Sequence, residues 1–246
     1  MIDKLNAPKS IFFDVDDTLY DHLQPLRGAL QQVLGLPEDF PYGEAYHRFR
    51  YYSDWLSAQD DLSAVPEPEA VEQMRHRRFE LTMAEFGLPL QSGQAEELQA
   101  QYLSRQFQIQ PFEGAYELIQ RLLAEGHKVG LITNGEGKHQ QRKLEALDVF
   151  SLIPEERIFI SGTLGYAKPD TRLFEHVSRQ TGCDSGSSYY IGDSWRNDVI
   201  GAVDAGWKVI WFNHRGALPE SEHQPHHVAR SYEEVSRILT SELVHQ

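Results

Sequence analysis

Short, almost continuous apolar runs recur along the chain, separated by longer amphipathic stretches. Residues 10–15 read SIFFDV, 127–133 HKVGLIT, 157–161 RIFIS, 188–191 SYYI and 208–212 KVIWF. Runs of this kind, apolar without strict alternation, suit strands buried on both faces of a parallel sheet. Between them, residues 116–125 (YELIQRLLAE), 138–147 (KHQQRKLEAL), 171–181 and 198–205 carry helical spacing. Gly126 and Gly206 stand where two of these helices end. Strands alternating with helices predict right-handed βαβ units, an α/β fold built on a parallel sheet covered on both faces.

One stretch breaks the pattern. Residues 21–108 hold no convincing strand and are rich in Gln, Glu, Arg and aromatics at helical spacing, as in 46–56 and 71–86. Val65-Pro66-Glu67-Pro68 and Gly87-Leu88-Pro89 read as breaks between helices. We read the stretch as a module of about four helices inserted after the first strand. Helices packed directly on the sheet are the plainer alternative.

Composition narrows the class of protein. The chain has 246 residues, with 23 Lys+Arg against 37 Asp+Glu, a net charge of −14. That balance argues against binding nucleic-acid polymers or anionic membranes, which needs a basic surface. It leaves room for a small anionic substrate, because a metal or a few local cations can invert the field inside a pocket. Cys183 is the only cysteine, so neither an intrachain disulfide nor an all-cysteine metal site can form. The opening MIDKLNAPKS lacks the apolar core of a signal peptide, and no run reaches the roughly 20 apolar residues of a membrane span. These features predict a cytoplasmic protein.

Four signals stand at the ends of predicted strands, where open α/β sheets place their ligands. The first is Asp14-Val15-Asp16-Asp17-Thr18 after SIFF. Acids crowded at the end of a buried strand repel one another, and a hard divalent cation with oxygen ligands removes the difficulty. The plain alternative is an acidic surface turn. The second is Thr133-Asn134-Gly135, whose hydroxyl and backbone N–H groups could hold phosphate oxygens, although the triplet is also an ordinary turn. The third is Lys168-Pro169, and the fourth is Gly192-Asp193 with Asp198 further on. Asp193 could add a metal oxygen; Asp198 could do so or could simply favour a helix start.

In this order the four signals resemble the haloacid dehalogenase superfamily of phosphohydrolases. The matching residues are DVDDT (14–18), Thr133, Lys168-Pro169 and GDSWRND (192–198). LITNGEGKHQQRKLEAL (131–147) and VIWFNHRG (209–216) are similar to the subgroup of pyrimidine 5′-nucleotidases and N-acylneuraminate-9-phosphatases. The resemblance implies a Rossmann-like core, residues 1–20 and 109–246, with an inserted all-helical cap at 21–108. It implies a phosphatase acting on a small phosphomonoester, a nucleotide or sugar phosphate, with Mg²⁺ as cofactor. Asp14 would be the nucleophile and Asp16 the general acid and base. Thr133, Asn134 and Lys168 would hold the phosphoryl group. Asp14, Asp16 (through its carbonyl) and Asp193 would hold the metal, and Asp198 would orient Lys168 or a metal-bound water.

Rival expectations follow from the same fold. A metal-independent 2-haloacid dehalogenase would lack the acid at Asp16, and a phosphonatase would carry a small residue there. A sugar phosphomutase would share all four motifs. A silent ligand-binding protein is the non-enzymatic reading, and the chain could be a monomer or a homodimer. Other residues read more plainly. His223, His226 and His227 suggest a solvated loop in a polar tail, with adventitious metal binding as the alternative. Tyr46, Phe49, Tyr51, Tyr52 and Trp55 suggest packing within the module, or an aromatic wall for a base or sugar ring. Arg50, Arg75, Arg77 and Arg78 are expected to be mostly solvated, with one able to reach a substrate anion.

Overall fold

The computed structural model describes residues 8–57 and 68–244. In chain order the first elements are β1 (Ser10–Phe13), α1 (Leu23–Leu34), α2 (Tyr42–Ser57), α3 (Pro68–Glu85) and α4 (Gln94–Arg105). Then follow α5 (Ala115–Ala124), β2 (Lys128–Thr133), α6 (Gly137–Ala146), β3 (Ile158–Ile160), α7 (Ser161–Leu164) and α8 (Thr171–Thr181). The chain closes with β4 (Tyr189–Gly192), α9 (Ile200–Asp204), β5 (Lys208–Phe212), β6 (His227–Ala229) and α10 (Tyr232–Val244). It divides into two compact units, residues 1–21 with 110–246, and residues 22–109.

The first unit is a parallel sheet in the order β3-β2-β1-β4-β5-β6. The α/β Rossmann-like class expected from the apolar runs is what the chain adopts. Both faces of each central strand are covered, which is why those runs are continuous rather than alternating. Phe12, Ile132, Tyr190, Val209 and Trp211 pack on one face with Phe174 and Val177 of α8 and Ala202 of α9. On the other, Phe13 stacks on Tyr232 of α10 with ring centroids 6.5 Å apart, and Phe112 meets Phe212 at 5.6 Å. β1 pairs with β2 on one side and β4 on the other. The strand order therefore reverses beside β1, and the crevice at the carboxyl ends of β1 and β4 is the place such sheets offer to ligands.

Local chemistry sets the boundaries. The Asp170 side chain accepts from the Arg172 N–H and caps α8, which ends at Gly182 in the left-handed region, φ 63°. The Glu136 carboxylate accepts from the N–H groups of Lys138 and His139 and caps α6. Two details depart from the sequence reading. The helix expected over 198–205 starts as one wide turn over Trp195–Val199, because Ser194 O accepts from Val199 N as well as from Asp198 N. A sixth strand, His227–Ala229, lies where a loop was expected. It is an edge strand with only Ala229 buried and so shows no apolar run. His226 Nδ1 accepts from the Val209 N–H, His227 meets Glu242 and His223 meets Ser221 and Asp204, so the three histidines face different partners.

The second unit holds four helices among its described residues, with α1 packed on α4 and α2 on α3. Its core includes Leu26, Leu30, Tyr46, Phe49, Phe79, Met83, Leu98 and Tyr102. The aromatic patch therefore splits: Tyr46 and Phe49 are buried, while Tyr51 and Trp55 are exposed at 47% and 44%. Among the described residues no helix is long and apolar enough to cross a membrane.

Gly130 shows how tightly the sheet unit is packed. A Cβ there would stand 2.3 Å from Phe12 Cε1 and 2.6 Å from the Arg157 carbonyl oxygen. One of these neighbours is backbone and cannot swing away. Gly130→Ala is expected to destabilise the protein by about 1–3 kcal/mol. The check is a lower urea midpoint with an unchanged slope; an unmoved midpoint would contradict this packing.

Candidate active site

Each strand-end signal arrives at the carboxyl edge of the sheet for a local reason. β1 ends at Phe13, and the Asp14 N–H donates to Ile191 O of β4 at 2.8 Å, so the chain stays pinned to the neighbouring strand one residue further. Thr133 ends β2 and is buried. Gly192 ends β4 and could carry no side chain, since a Cβ would lie 2.4 Å from Asp198 Cγ. The turn over Trp195–Val199 then brings Asp198 back under the end of the strand.

These elements bring Asp14, Lys168 and Asp198 together. Lys168 Nζ donates to Asp14 Oδ1 at 2.7 Å, to Asp198 Oδ1 at 2.6 Å and to the Tyr190 hydroxyl at 2.8 Å. All four side chains are buried. The second Asp198 oxygen accepts from the Ser194 N–H at 2.9 Å. Burial pushes the Asp14 carboxyl up to about 7; Lys168 pulls it down, and Asp198 and Asp16 raise it further. Burial alone would lower Lys168, but Asp14 and Asp198 outweigh it and hold the ammonium above its ordinary value. Burial likewise keeps the Tyr190 hydroxyl protonated, with Asp198 and Asp14 acting in the same direction.

Carboxylate oxygens of Asp14, Asp193 and Asp198 all lie within 4.8 Å of one another. The donors are hard oxygen atoms, and the Lys168 ammonium bonded to two of the acids offsets only part of their charge. The arrangement fits a divalent cation such as Mg²⁺. The Asp16 carboxylate belongs to a different cluster. It accepts from Lys143 Nζ at 2.8 Å, from the Tyr20 hydroxyl at 2.5 Å and from Gln140 Nε2 at 3.2 Å.

Thr133 and Asn134 are tied into the same frame. Gln140 Nε2 donates to Thr133 Oγ1 and to Asn134 O, both at 2.7 Å. The Asn134 amide brackets the Lys168 peptide: its Nδ2 donates to Lys168 O and its Oδ1 accepts from Lys168 N, each at 2.9 Å. The Asn134 side chain thus positions the lysine, a role the sequence reading, which looked to its backbone N–H, did not give it. Asp17, at φ 62°, holds Arg215 by Nη2 at 2.7 Å.

Sequence reasoning missed Tyr20, Gln140, Lys143, Tyr190 and Arg215. For two of them a signal existed. Gln140 and Lys143 fall on the inward face of α6 with Leu144, and a buried lysine in an otherwise apolar stripe asks for a carboxylate. A cleft of about 400 Å³ lined by Glu136, Lys138, Phe150 and Thr163 contains none of the clustered acids.

Residues 8–206 match the family model of haloacid dehalogenase-like hydrolases. The chain belongs to this family. It is 30% identical over 227 residues to the pyrimidine 5′-nucleotidase YjjG of Escherichia coli, covering 85% of this chain and 88% of that one. It is 28% identical over 221 residues to a glyceraldehyde 3-phosphate phosphatase of Methanothermobacter thermautotrophicus, covering 87% of this chain and 90% of that one. It is 26% identical to the N-acylneuraminate-9-phosphatase of Rattus norvegicus, with 96% of each chain covered. Among solved structures, the HAD hydrolase YfnB of Bacillus subtilis, bound to magnesium, shares the fold at TM-score 0.69 and 23% identity, covering 94% of this chain and 98% of that one. The family and the subgroup inferred from the motifs are those of these relatives.

The raised Asp14 carboxyl has a consequence for stability without metal. Its folded value is about 7 against an ordinary 3.8. Below the ordinary value the group is neutral in both states and costs nothing. As pH rises through the folded value, the folded protein must carry a buried charge and stability is lost. Asp14→Asn removes that loss. In chelator-treated protein the variant should exceed the parent in urea midpoint by more near pH 8 than near pH 4; an equal difference at both would refute the assignment.

Proposed function

We propose that the chain is a Mg²⁺-dependent phosphatase that hydrolyses a small phosphomonoester, a nucleotide or a sugar phosphate, through an aspartyl-phosphate on Asp14. The observation that carries this reading is Asp14 held by Lys168 within an all-oxygen cluster at the reversal of strand order, with a second acid, Asp16, two residues on. The relatives named above are phosphatases and a nucleotidase, each of a small phosphorylated compound.

In the first step an Asp14 oxygen bonds to phosphorus, the bond to the leaving oxygen breaks, and Asp16 gives that oxygen a proton. In the second, water attacks phosphorus, Asp16 takes a proton from it, and the Asp14–phosphorus bond breaks to release inorganic phosphate. Lys143, Tyr20 and Gln140 orient the Asp16 carboxylate for both transfers. Lys168 and the Thr133 hydroxyl hold phosphoryl oxygens and offset their charge. Asp198, bonded to Lys168, and Asn134, bonded to its peptide, keep the ammonium in place. Asp14, the Asp16 carbonyl and Asp193 would hold Mg²⁺, which supplies charge neutralisation for the phosphoryl group.

The second acid and Asp193 favour phosphoryl transfer over dehalogenation. In this reading the helical unit, drawn from the sequence as residues 21–108, is the cap, and it selects the leaving group. Exposed Tyr51 and Trp55 are the aromatic surface it offers to a flat ring.

Hydrolysis of p-nitrophenyl phosphate with Mg²⁺ and its loss on exhaustive chelation test the reading, together with a screen over nucleotides, sugar phosphates and phosphoacids. Asp14→Asn should abolish turnover and give no phosphoenzyme in single-turnover assays while remaining folded. Normal activity in that variant, or full activity after chelation, would overturn the scheme. Trp55→Ala should raise KM for the preferred nucleotide more than for p-nitrophenyl phosphate. An equal change in both would return Trp55 to a packing role.

A further inference from the structure

Among its described residues the helical unit contains an arginine with no counter-ion. Arg27, Arg48, Arg75 and Arg77 each stand beside a carboxylate. Among the described residues none pairs with Arg78, which is half-buried between α2, α3 and α4 rather than solvated as its sequence context suggests. Its guanidinium lies over the Phe49 ring, 4.4 Å from the centroid, and 5.5 Å from that of Tyr102. Nη1 donates to Ser53 Oγ at 3.3 Å and Nη2 to Gln99 Oε1 at 2.9 Å. The Arg78 Nε–H, sealed from solvent, has no acceptor. Gln99 is only 2% exposed, and its Nε2 also has none. Gln99 cannot be turned over to cure this, because its oxygen is already fixed by Arg78.

Two adjacent buried donor groups from different helices, one of them charged, therefore lack an acceptor among the described residues. Leaving donors unsatisfied is costly, and leaving a cation unpaired more so. Burial and the nearby Arg75 both lower the guanidinium below its ordinary value, with Tyr102 and Glu72 acting the other way. In a chain with 37 acids to 23 basic residues a carboxylate partner was readily available to evolution. We propose that Arg78 and Gln99 form an oxyanion-binding site of the helical unit, taking a carboxylate or phosphate. An edge of a guanidinium beside a carboxamide matches two oxygens of such a group, and Phe49 supports the guanidinium from below.

The source of the oxyanion is either free in solution or a second acidic group on the substrate. The second case rests on the phosphatase reading. Gln99→Glu is the decisive variant, since it keeps the shape, gives Arg78 an internal counter-ion and repels an incoming anion. Chelator-treated protein titrated with sulfate should show a saturable rise in melting temperature that is weaker in Gln99→Glu. Separately, the ratio of kcat/KM for 3-phosphoglycerate over glycerol 3-phosphate is measured in the parent, Gln99→Glu and Arg78→Lys. A substrate-borne carboxylate predicts a ratio about tenfold lower in Gln99→Glu, with part of it retained in Arg78→Lys. A free anion predicts the sulfate difference with an unchanged ratio. Equal sulfate response and equal ratio in the parent and Gln99→Glu would overturn the site and leave Arg78 a packing residue. Failure to hydrolyse p-nitrophenyl phosphate would instead reject the phosphatase reading, while the sulfate titration still judged the site.

Discussion

A lysine ammonium buried between two carboxylates is the constraint on which the sheet unit's active edge depends. Lys168 touches Asp14, Asp198 and Tyr190, and all four are buried. Buried ion pairs do not come free: desolvation opposes them, and they persist where geometry satisfies every donor. Here the satisfaction is thorough. The ammonium has three acceptors, Asp198 has the Ser194 N–H on its other oxygen, and the Asn134 amide clamps the lysine's own peptide. The glycines around it follow from the same demand. Gly192 leaves room for Asp198, and Gly201 lies where a Cβ would stand 2.8 Å from the Pro169 Cα.

The sheet makes this possible by bringing together pieces distant in sequence. Asp14 and Lys168 are separated by 154 positions, and only the pairing of β1 with both β2 and β4 sets their loops side by side. A central strand with neighbours on both sides and apolar cover on both faces cannot shift register without exposing or burying the wrong groups. The precision of the acid cluster is thus inherited from Ile11, Phe12 and Phe13, which are wholly buried.

Much of this was legible in the sequence because strands buried on both faces leave an unmistakable mark. Acids directly after such a run are out of place unless something uses them, and Asp14, Lys168 and Asp198 do meet. Strand order was not readable from the runs themselves, which carry no mark of their neighbours. The cluster around Asp16 was hidden because its members lie on helices, where Gln140 and Lys143 look like surface residues unless the inward face of α6 is traced. Asn134 was read for its backbone N–H alone, since nothing in Thr-Asn-Gly tells that its side-chain amide would find the Lys168 peptide. β6 escaped because it is an edge strand with only Ala229 buried and so shows no apolar run. Arg78 was read as solvated because it looks like Arg75 and Arg77 in sequence, and only packing sets it against Phe49, Tyr102 and Gln99.

An acidic protein that handles an anionic group must keep its few cations where they act, and the distribution of charge bears this out. Lys168 and Lys143 are both buried, each engaged with a strand-end acid, and Arg215 is drawn to Asp17 and Asp21 in the same loop. In the helical unit Arg77 is paired with Glu80 on its own helix, and Arg48 of α2 with Glu85 of α3. Cations elsewhere, such as Arg172, Arg179 and Arg237, stand exposed beside acids of their own helices or caps, so the buried lysines are the ones withdrawn from solvent. A long polyanion meets repulsion over most of the surface, whereas a single small anion needs only to reach one enclosed cation. In such a chain a small anion needs no positive surface patch, because a buried ammonium held at the sheet edge can offset its charge locally.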